Sequence, residues 1–171
     1  MKKRSIRPTV VAVAVHLLIM IAVLLPPIAV RATGTVVYLE TAPVDPRDLF
    51  RGDYVALGYR VGQGILPRAS REESRRTGKP LYVTVTTARP ARLLTVGFER
   101  PIPQPGQACL IGRARQEWGG EGGTVDFPQI AQFFVPEGEG QKLEESRGER
   151  LLAKVVVSRT CDAVLLALEQ R

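Results

Sequence analysis

The distribution of apolar residues divides the chain into one long hydrophobic run and a series of short alternating segments. The run covers Thr9–Val30, 22 residues in which His16 is the only group that can titrate. At about 1.5 Å per residue it forms a helix of roughly 33 Å, which matches the roughly 30 Å hydrocarbon core of a bilayer. The pattern predicts a transmembrane anchor at residues 9–30, followed by an extracytoplasmic domain at residues 31–171.

The residues before the run indicate its orientation. Residues 1–8 form a basic tail with four cationic and no acidic side chains. Because cationic flanks stay in the cytoplasm, we expect the N-terminus inside the inner membrane and the domain outside it, in the periplasm of a bacterium. A cleaved signal peptide is the alternative, but the run exceeds the roughly 7–15 apolar residues of a signal-peptide core.

His16 lies near the middle of the predicted anchor. A polar residue at that depth is, by default, a hint of function or of contact with a partner helix. The alternative is a neutral imidazole that bonds to its own helix backbone.

Beyond the anchor, short segments with alternating apolar residues predict a β-domain. Leu81–Thr87 has the clearest pattern, because Leu81, Val83 and Val85 share one face. The predicted strands are Thr35–Glu40, Asp53–Val61, Leu81–Thr87, Leu93–Glu99, Ala108–Arg115, Thr124–Phe127, Gln132–Val135, Leu151–Ser158 and Ala163–Leu168. Gly and Pro turns separate them, so we expect a mainly β fold: one antiparallel barrel or sandwich with one or two short helices.

Two polar stretches predict the short helices. Within Pro67–Pro80, Ser70 and Glu73 have the spacing of a capping box, and Gly78 suits the position after the last helical residue. This stretch has almost no apolar face, so we expect it to be exposed. Gly138–Glu149 allows one further short helix.

The charge balance argues against nucleic-acid binding. The chain has 24 basic and 17 acidic residues, a net charge of +7. Without the four cations of the tail, 20 basic residues face 17 acidic ones, so the rest of the chain carries only +3. No concentrated basic surface remains, and we expect no nucleic-acid partner.

The reactive residues exclude histidine-based chemistry in the domain. The single histidine lies in the anchor, so a Ser-His-Asp triad, a Cys-His pair or a histidine-ligated metal cannot form beyond it. Leu49, Gly52 and Asp53 resemble the nucleophile region of bacterial signal peptidases, but Val44 stands where that family has its serine. We therefore expect no catalytic group, no cofactor and no metal.

The stretch VDPRDLFRGDYVALGYRV, Val44–Val61, concentrates the polar groups of the domain. Its first half favours a turn, and after Asp53 it predicts a strand with Tyr54 and Tyr59 on opposite faces, as in an interior strand of a closed barrel. We expect a binding surface here, although its ligand is open. The candidate binding residues are Asp45, Arg47, Asp48, Arg51, Gly52, Asp53, Tyr54, Leu57 and Tyr59.

Two other functions would use the same stretch. An envelope hydrolase would use its three carboxylates, Asp45, Asp48 and Asp53. However, the interleaved arginines would lower the pKa of a carboxylate, which works against a general acid. A small anionic ligand or glycan would instead bind the arginines Arg47, Arg51 and Arg60.

A family resemblance becomes specific at this point. Gly52–Tyr59 reads GDYVALGY, which fits G-D-Y-x-x-L-x-Y without a mismatch. Together with Asp45–Arg51 and Phe133–Gly138, it makes the chain resemble the GDYXXLXY family of bacterial membrane-anchored proteins. The resemblance implies one transmembrane helix, an extracytoplasmic domain, no established activity and a multi-spanning membrane protein as companion. We therefore expect an accessory protein that binds an integral membrane protein or an envelope component.

Cys109 and Cys161 are the only cysteines and lie 52 positions apart. In an oxidising compartment they can form a disulfide, which the loop-entropy relation predicts to stabilise the fold by about 4 kcal/mol. Two free thiols are the alternative. Cys161 also stands in the predicted turn of the last hairpin, where a glycine or a polar residue is expected.

Overall fold

The computed structural model describes residues 7–42, 54–115, 123–134 and 151–170. The elements in chain order are α1 (Arg7–Thr33), β1 (Thr35–Ala42), β2 (Tyr54–Ala56), β3 (Gly58–Tyr59), a 3₁₀ turn (Arg60–Gly62), α2 (Arg68–Thr77), β4 (Leu81–Thr86), β5 (Leu93–Gly97), β6 (Gln107–Ala114), β7 (Val125–Asp126), a second 3₁₀ turn (Pro128–Ile130), β8 (Gln132–Phe134), β9 (Leu151–Val157) and β10 (Ala163–Gln170). The predicted helix at residues 138–149 falls outside the described residues.

Helix α1 is apolar around its whole circumference. The most apolar 18-residue stretch of its segment Val10–Thr33 has a mean hydropathy of 2.6, and that stretch is not buried against the rest of the chain. A helix that is hydrophobic on all sides and uncovered is suited to a bilayer. Length and composition therefore fit a membrane anchor or a signal sequence, and the helix continues three residues beyond the predicted end at Val30.

The strands form two four-stranded antiparallel sheets and a two-stranded ribbon. The first sheet has the order β10-β9-β1-β3 and the second the order β5-β4-β6-β7, while β2 pairs with β8. In the first sheet, β1 runs beside β9 from Thr35 opposite Val157 to Glu40 opposite Leu152. Strands β9 and β10 form the predicted C-terminal hairpin.

One hydrophobic core joins the two sheets. Val37, Leu39 and Val155 of the first sheet are fully buried in the same cluster as Leu81 and Val83 of the second. The alternating face predicted for Leu81–Thr87 is thus the buried face. The expectation of a barrel is wrong for the described residues, because each large sheet ends in edge strands and no ladder joins one sheet to the other.

Helix α2 is present, but it begins differently from the prediction. Its N-cap is Pro67, with no side-chain hydrogen bond, so Ser70 lies inside the helix and the capping box is wrong. The end is as predicted: Gly78 has a φ of 67°, and its N–H donates to the Ser74 carbonyl at 2.9 Å. A left-handed residue at this position suits glycine, which has no Cβ to clash.

A disulfide connects the two halves of the core. Cys109 of β6 is bonded to Cys161 in the β9–β10 turn, and their Cα atoms are 4.9 Å apart. Both residues are fully buried. Cys161 has a φ of 70°, which is the conformation that favours glycine in such a turn.

Candidate interaction surface

The pattern GDYVALGY does not form the single strand Asp53–Val61 that its alternation predicts. Tyr54–Ala56 pairs with β8, with Ala56 opposite Gln132, whereas Gly58–Tyr59 pairs with β1. Leu57 lies between them, and its N–H donates to the Ala131 carbonyl at 2.8 Å. The stretch therefore crosses from the ribbon to the edge of the first sheet, because the partner for each half is a different, distant strand.

Tyr59 is a core residue. It is 4% exposed, and its hydroxyl donates to the Ile130 carbonyl at 2.6 Å. Its ring meets that of Phe127 edge to face, with centroids 5.9 Å apart. Burial raises the pKa of the Tyr59 hydroxyl far above its usual value near 10, so the phenol stays neutral. Tyr59 therefore holds the second 3₁₀ turn against β3 and does not face a ligand.

The other predicted binding residues are described by the structure to different extents. Leu57 is half-buried and packs against the core. Tyr54 is described by its backbone alone, which pairs with Phe134. Six of the predicted residues lie outside the described part of the chain: Asp45, Arg47, Asp48, Arg51, Gly52 and Asp53. The hydrolase interpretation, which needs the three carboxylates among them, has no described group to rest on.

Arg60 is already paired. Its Nε lies 3.3 Å from a carboxylate oxygen of Glu40, whose side chain is only 14% exposed. Arg60 itself is 55% exposed, so this pair contributes little to stability. The salt bridge to Glu40 nevertheless engages Arg60, one of the three arginines that a small anionic ligand would have used.

The described part of the motif encloses very little space. A depression of about 20 Å³ lies between Tyr59, Gln63 and Asp126. That volume holds about one water molecule. The described motif residues thus build a structural junction, and any larger ligand needs another surface.

Such a surface lies at the end of helix α1, and we name it the helix-end cleft. It has a volume of about 610 Å³ and is bordered by Thr33 and Thr35, by the loop 100–106 and by Val157–Arg159. Sequence reasoning missed it, because its three walls come from segments far apart in the chain. One local feature of the sequence points to it: Ile102 lies between Pro101 and Pro103 in a proline-rich loop.

His16 is satisfied by its own helix. Its Nδ1 lies 2.9 Å from the Ala12 carbonyl one turn earlier, so the ring donates an N–H to the backbone. This contact fits the alternative in which the imidazole bonds to its own helix backbone, and contact with a partner helix stays a prediction.

Residues 7–42, 54–115, 123–134 and 151–170 contain no candidate metal site. No three His, Cys, Asp or Glu side chains there are grouped closely enough to hold an ion. Several of the described charged groups instead form salt bridges, such as the one between Arg89 Nη2 and Glu169 Oε2 at 2.9 Å.

Comparison with known proteins gives one match. A family model described as GDYXXLXY protein matches residues 16–168, which is nearly the whole chain. No curated protein and no solved structure matches the chain. The match includes the second half of α1 as well as both sheets, so the helix and the β-domain occur together in the family.

Proposed function

The chain belongs to the GDYXXLXY protein family, and on that premise we propose that it is a single-pass accessory protein of the inner membrane whose β-domain binds a partner on the periplasmic side. The partner is an integral membrane protein or an envelope component, with a multi-spanning protein as first choice. The observation that carries the proposal is the junction between α1 and β1, where Gly34 is the only residue between the helix and the strand. A domain joined so closely works beside the membrane surface.

Two features support a periplasmic domain. The basic tail before the apolar run favours a cytoplasmic N-terminus, and its cations are Lys2, Lys3, Arg4 and Arg7. The buried disulfide between Cys109 and Cys161 suits an oxidising compartment, since the cytoplasm keeps thiols reduced.

We propose a binding role and not a catalytic one. The only histidine lies in the apolar helix, with its Nδ1 bonded to that helix. In the described β-domain, burial raises the pKa of Tyr59, but its hydroxyl is buried against a backbone carbonyl where no substrate reaches it. The polar stretch Asp45–Asp53, which lies outside the described residues, is our candidate for the partner contact, with Arg47 and Arg51 as its cations.

The test is affinity capture of the full-length protein from detergent-solubilised membranes. We expect an integral membrane protein to be recovered with the wild type and to be lost with Arg47→Ala/Arg51→Ala. Arg75→Ala/Arg76→Ala on the exposed face of α2 is the matched control, because it removes the same charge at another place. Equal recovery with both double variants would rule out the stretch Asp45–Asp53 as the contact, and recovery of no specific protein would count against the partner altogether.

A reporter fused to the C-terminus tests the orientation separately. Alkaline phosphatase is active only after export, so we expect activity from a C-terminal fusion. An inactive fusion, together with fluorescence from a cytoplasmic reporter at the same place, would overturn the periplasmic assignment.

A further inference from the structure

The helix-end cleft lies at a defined depth relative to a membrane that α1 crosses. The apolar segment Val10–Thr33 has 24 residues and spans about 36 Å. A tilt of about 20° shortens this only to about 34 Å, still more than the hydrocarbon core of about 30 Å. The last turn of α1 therefore reaches the headgroup layer, and Thr33, at its end, forms part of the cleft wall.

The β-domain is fixed to this end of the helix. The N–H of Gly34 donates to the Val30 carbonyl at 2.9 Å, and Val30 is 7% exposed. A Cβ at Gly34 would overlap the Val156 side chain, so Gly34 packs directly against β9. Because helix and sheet are in contact without a linker, the cleft stays at the level of the headgroups.

Among the described residues, the charged side chains that line the cleft are Arg100 and Arg159, and no carboxylate lines it. Both arginines are exposed. Among the described residues, neither forms a salt bridge; Arg100 stacks near the Tyr82 ring, with 5.9 Å from the guanidinium carbon to the ring centroid. A guanidinium with free N–H groups binds phosphate oxygens in a bidentate manner.

The cleft also presents an apolar side chain to the outside. Ile102 is 92% exposed, which makes it the most exposed large hydrophobic residue in the described part of the chain. Prolines at 101 and 103 restrict the backbone on both sides, so the loop holds the side chain out at little entropic cost. An isoleucine held beside a pair of arginines matches the order of a membrane surface, with acyl chains next to phosphates.

We propose that the helix-end cleft binds the phosphate of an anionic phospholipid in the leaflet next to the domain, with Arg100 and Arg159 on the phosphate and Ile102 inserted among the upper acyl chains. The cleft thereby orients the β-domain on the membrane. The inference rests on the membrane anchoring in the proposed function. It does not depend on the partner protein, so a failed capture experiment leaves it intact.

The test uses the full-length protein, purified in detergent and titrated with phosphatidylglycerol or phosphatidylcholine while native mass spectrometry counts bound lipids. Both lipids carry a phosphate, but the choline cation of phosphatidylcholine cancels the charge of that phosphate and is repelled by the two arginines, so we expect phosphatidylglycerol to bind about tenfold more tightly. Arg100→Ala/Arg159→Ala should remove this preference. Arg75→Ala/Arg76→Ala, with the same loss of charge, should retain it.

Three results would overturn the proposal. The first is a preference for phosphatidylglycerol that survives Arg100→Ala/Arg159→Ala. The second is equal competition by inorganic phosphate and by phosphatidylglycerol, which would make the cleft a site for free anions. The third is the absence of any lipid preference in the wild type; if Arg100→Ala/Arg159→Ala then also loses partner capture, the cleft is assigned to a protein instead. Arg100→Lys/Arg159→Lys distinguishes bidentate binding from simple charge, and only a partial return of the preference fits the proposal.

A separate experiment tests whether Ile102 inserts among the acyl chains. Trp118 is the only tryptophan, so Ile102→Trp in a Trp118→Phe background reports on one site. In vesicles of phosphatidylglycerol with brominated chains, we expect its fluorescence to be quenched more strongly than that of Arg76→Trp in the same background. Equal quenching at the two positions would show that Ile102 stays in water and would remove the insertion from the proposal.

Discussion

The hydroxyl of Tyr59 donates a hydrogen bond of 2.6 Å to the backbone carbonyl of Ile130, 71 residues further along the chain. Both residues are buried, and Ile130 ends the 3₁₀ turn that leads into β8. The bond therefore ties the last residue of the GDYVALGY pattern to the segment that pairs with the first half of the same pattern. This contact gives the final tyrosine a structural role.

Tyr59→Phe should destabilise the domain without unfolding it. The substitution keeps the ring beside Phe127 but leaves the buried Ile130 carbonyl without its donor, which costs about 1–3 kcal/mol. Chemical unfolding of the full-length protein in detergent, followed by circular dichroism, measures the loss. Tyr82→Phe is the control, because Tyr82 is only half-buried and its hydroxyl makes no hydrogen bond to the described residues. Equal effects of the two substitutions would contradict the assignment.

The same tyrosine should make stability depend on alkaline pH. Burial raises the pKa of folded Tyr59 above the unfolded value near 10, so both states are protonated below pH 10 and the folded state alone keeps the proton above it. Stability is therefore fully present below about pH 10 and falls by up to about 1.4 kcal/mol per pH unit above it.

The check is the difference in free energy of unfolding between wild type and Tyr59→Phe across this range. We expect the difference to be constant up to about pH 10 and to shrink above it, because the variant has no proton to lose at this position. A difference that does not change between neutral and strongly alkaline pH would be inconsistent with a buried neutral phenol.

Removal of the disulfide should reveal the backbone conformation at Cys161. Cys109→Ala/Cys161→Ala opens a loop of 52 residues and should reduce stability by about 4 kcal/mol. Cys109→Ala/Cys161→Gly should lose about 1 kcal/mol less, because φ is 70° at this position and a left-handed residue other than glycine is strained by about 1–2 kcal/mol. Thermal unfolding of both variants without reductant tests the order, and a glycine variant less stable than the alanine variant would contradict it.

Gly34→Ala should disturb the junction between the helix and the sheet. An added Cβ would lie 2.6 Å from the Val30 carbonyl oxygen and 2.9 Å from that of Val157, and neither backbone atom can move away alone. Overpacking of this kind costs about 1–3 kcal/mol. We expect a lower melting temperature and faster tryptic cleavage after Arg31.

Gly97→Ala is the matched control for that junction. A Cβ at Gly97 meets no atom within 4 Å, and the residue lies in an edge strand. It should therefore leave the melting temperature and the cleavage rate close to those of the wild type. Similar behaviour of the two alanine variants would mean that the junction tolerates the displacement.

The sequence alone determined the features that depend on neighbours along the chain. The long apolar run predicted α1, since hydrophobicity over some 20 residues is a local property. The alternation of apolar and polar residues predicted β4 and its buried face, and the glycine at position 78 predicted the end of α2. The GDYVALGY pattern, together with Asp45–Arg51 and Phe133–Gly138, identified the family. For the cysteines, the sequence left both alternatives open, because it contains no information on the distance between them.

Only the tertiary structure decided which segments become neighbours. The alternation of Asp53–Val61 is the same whether it forms one strand or two, and β1 and β8 divide it because each offers backbone partners to one half. The partner of Tyr59 is a backbone carbonyl, which has no signature in sequence. The helix-end cleft likewise exists because the β1–β9 register brings Thr35 opposite Val157, so that the end of the helix, a proline loop and Arg159 share one surface. Long-range register is set by the packing of the whole core, and no local pattern carries it.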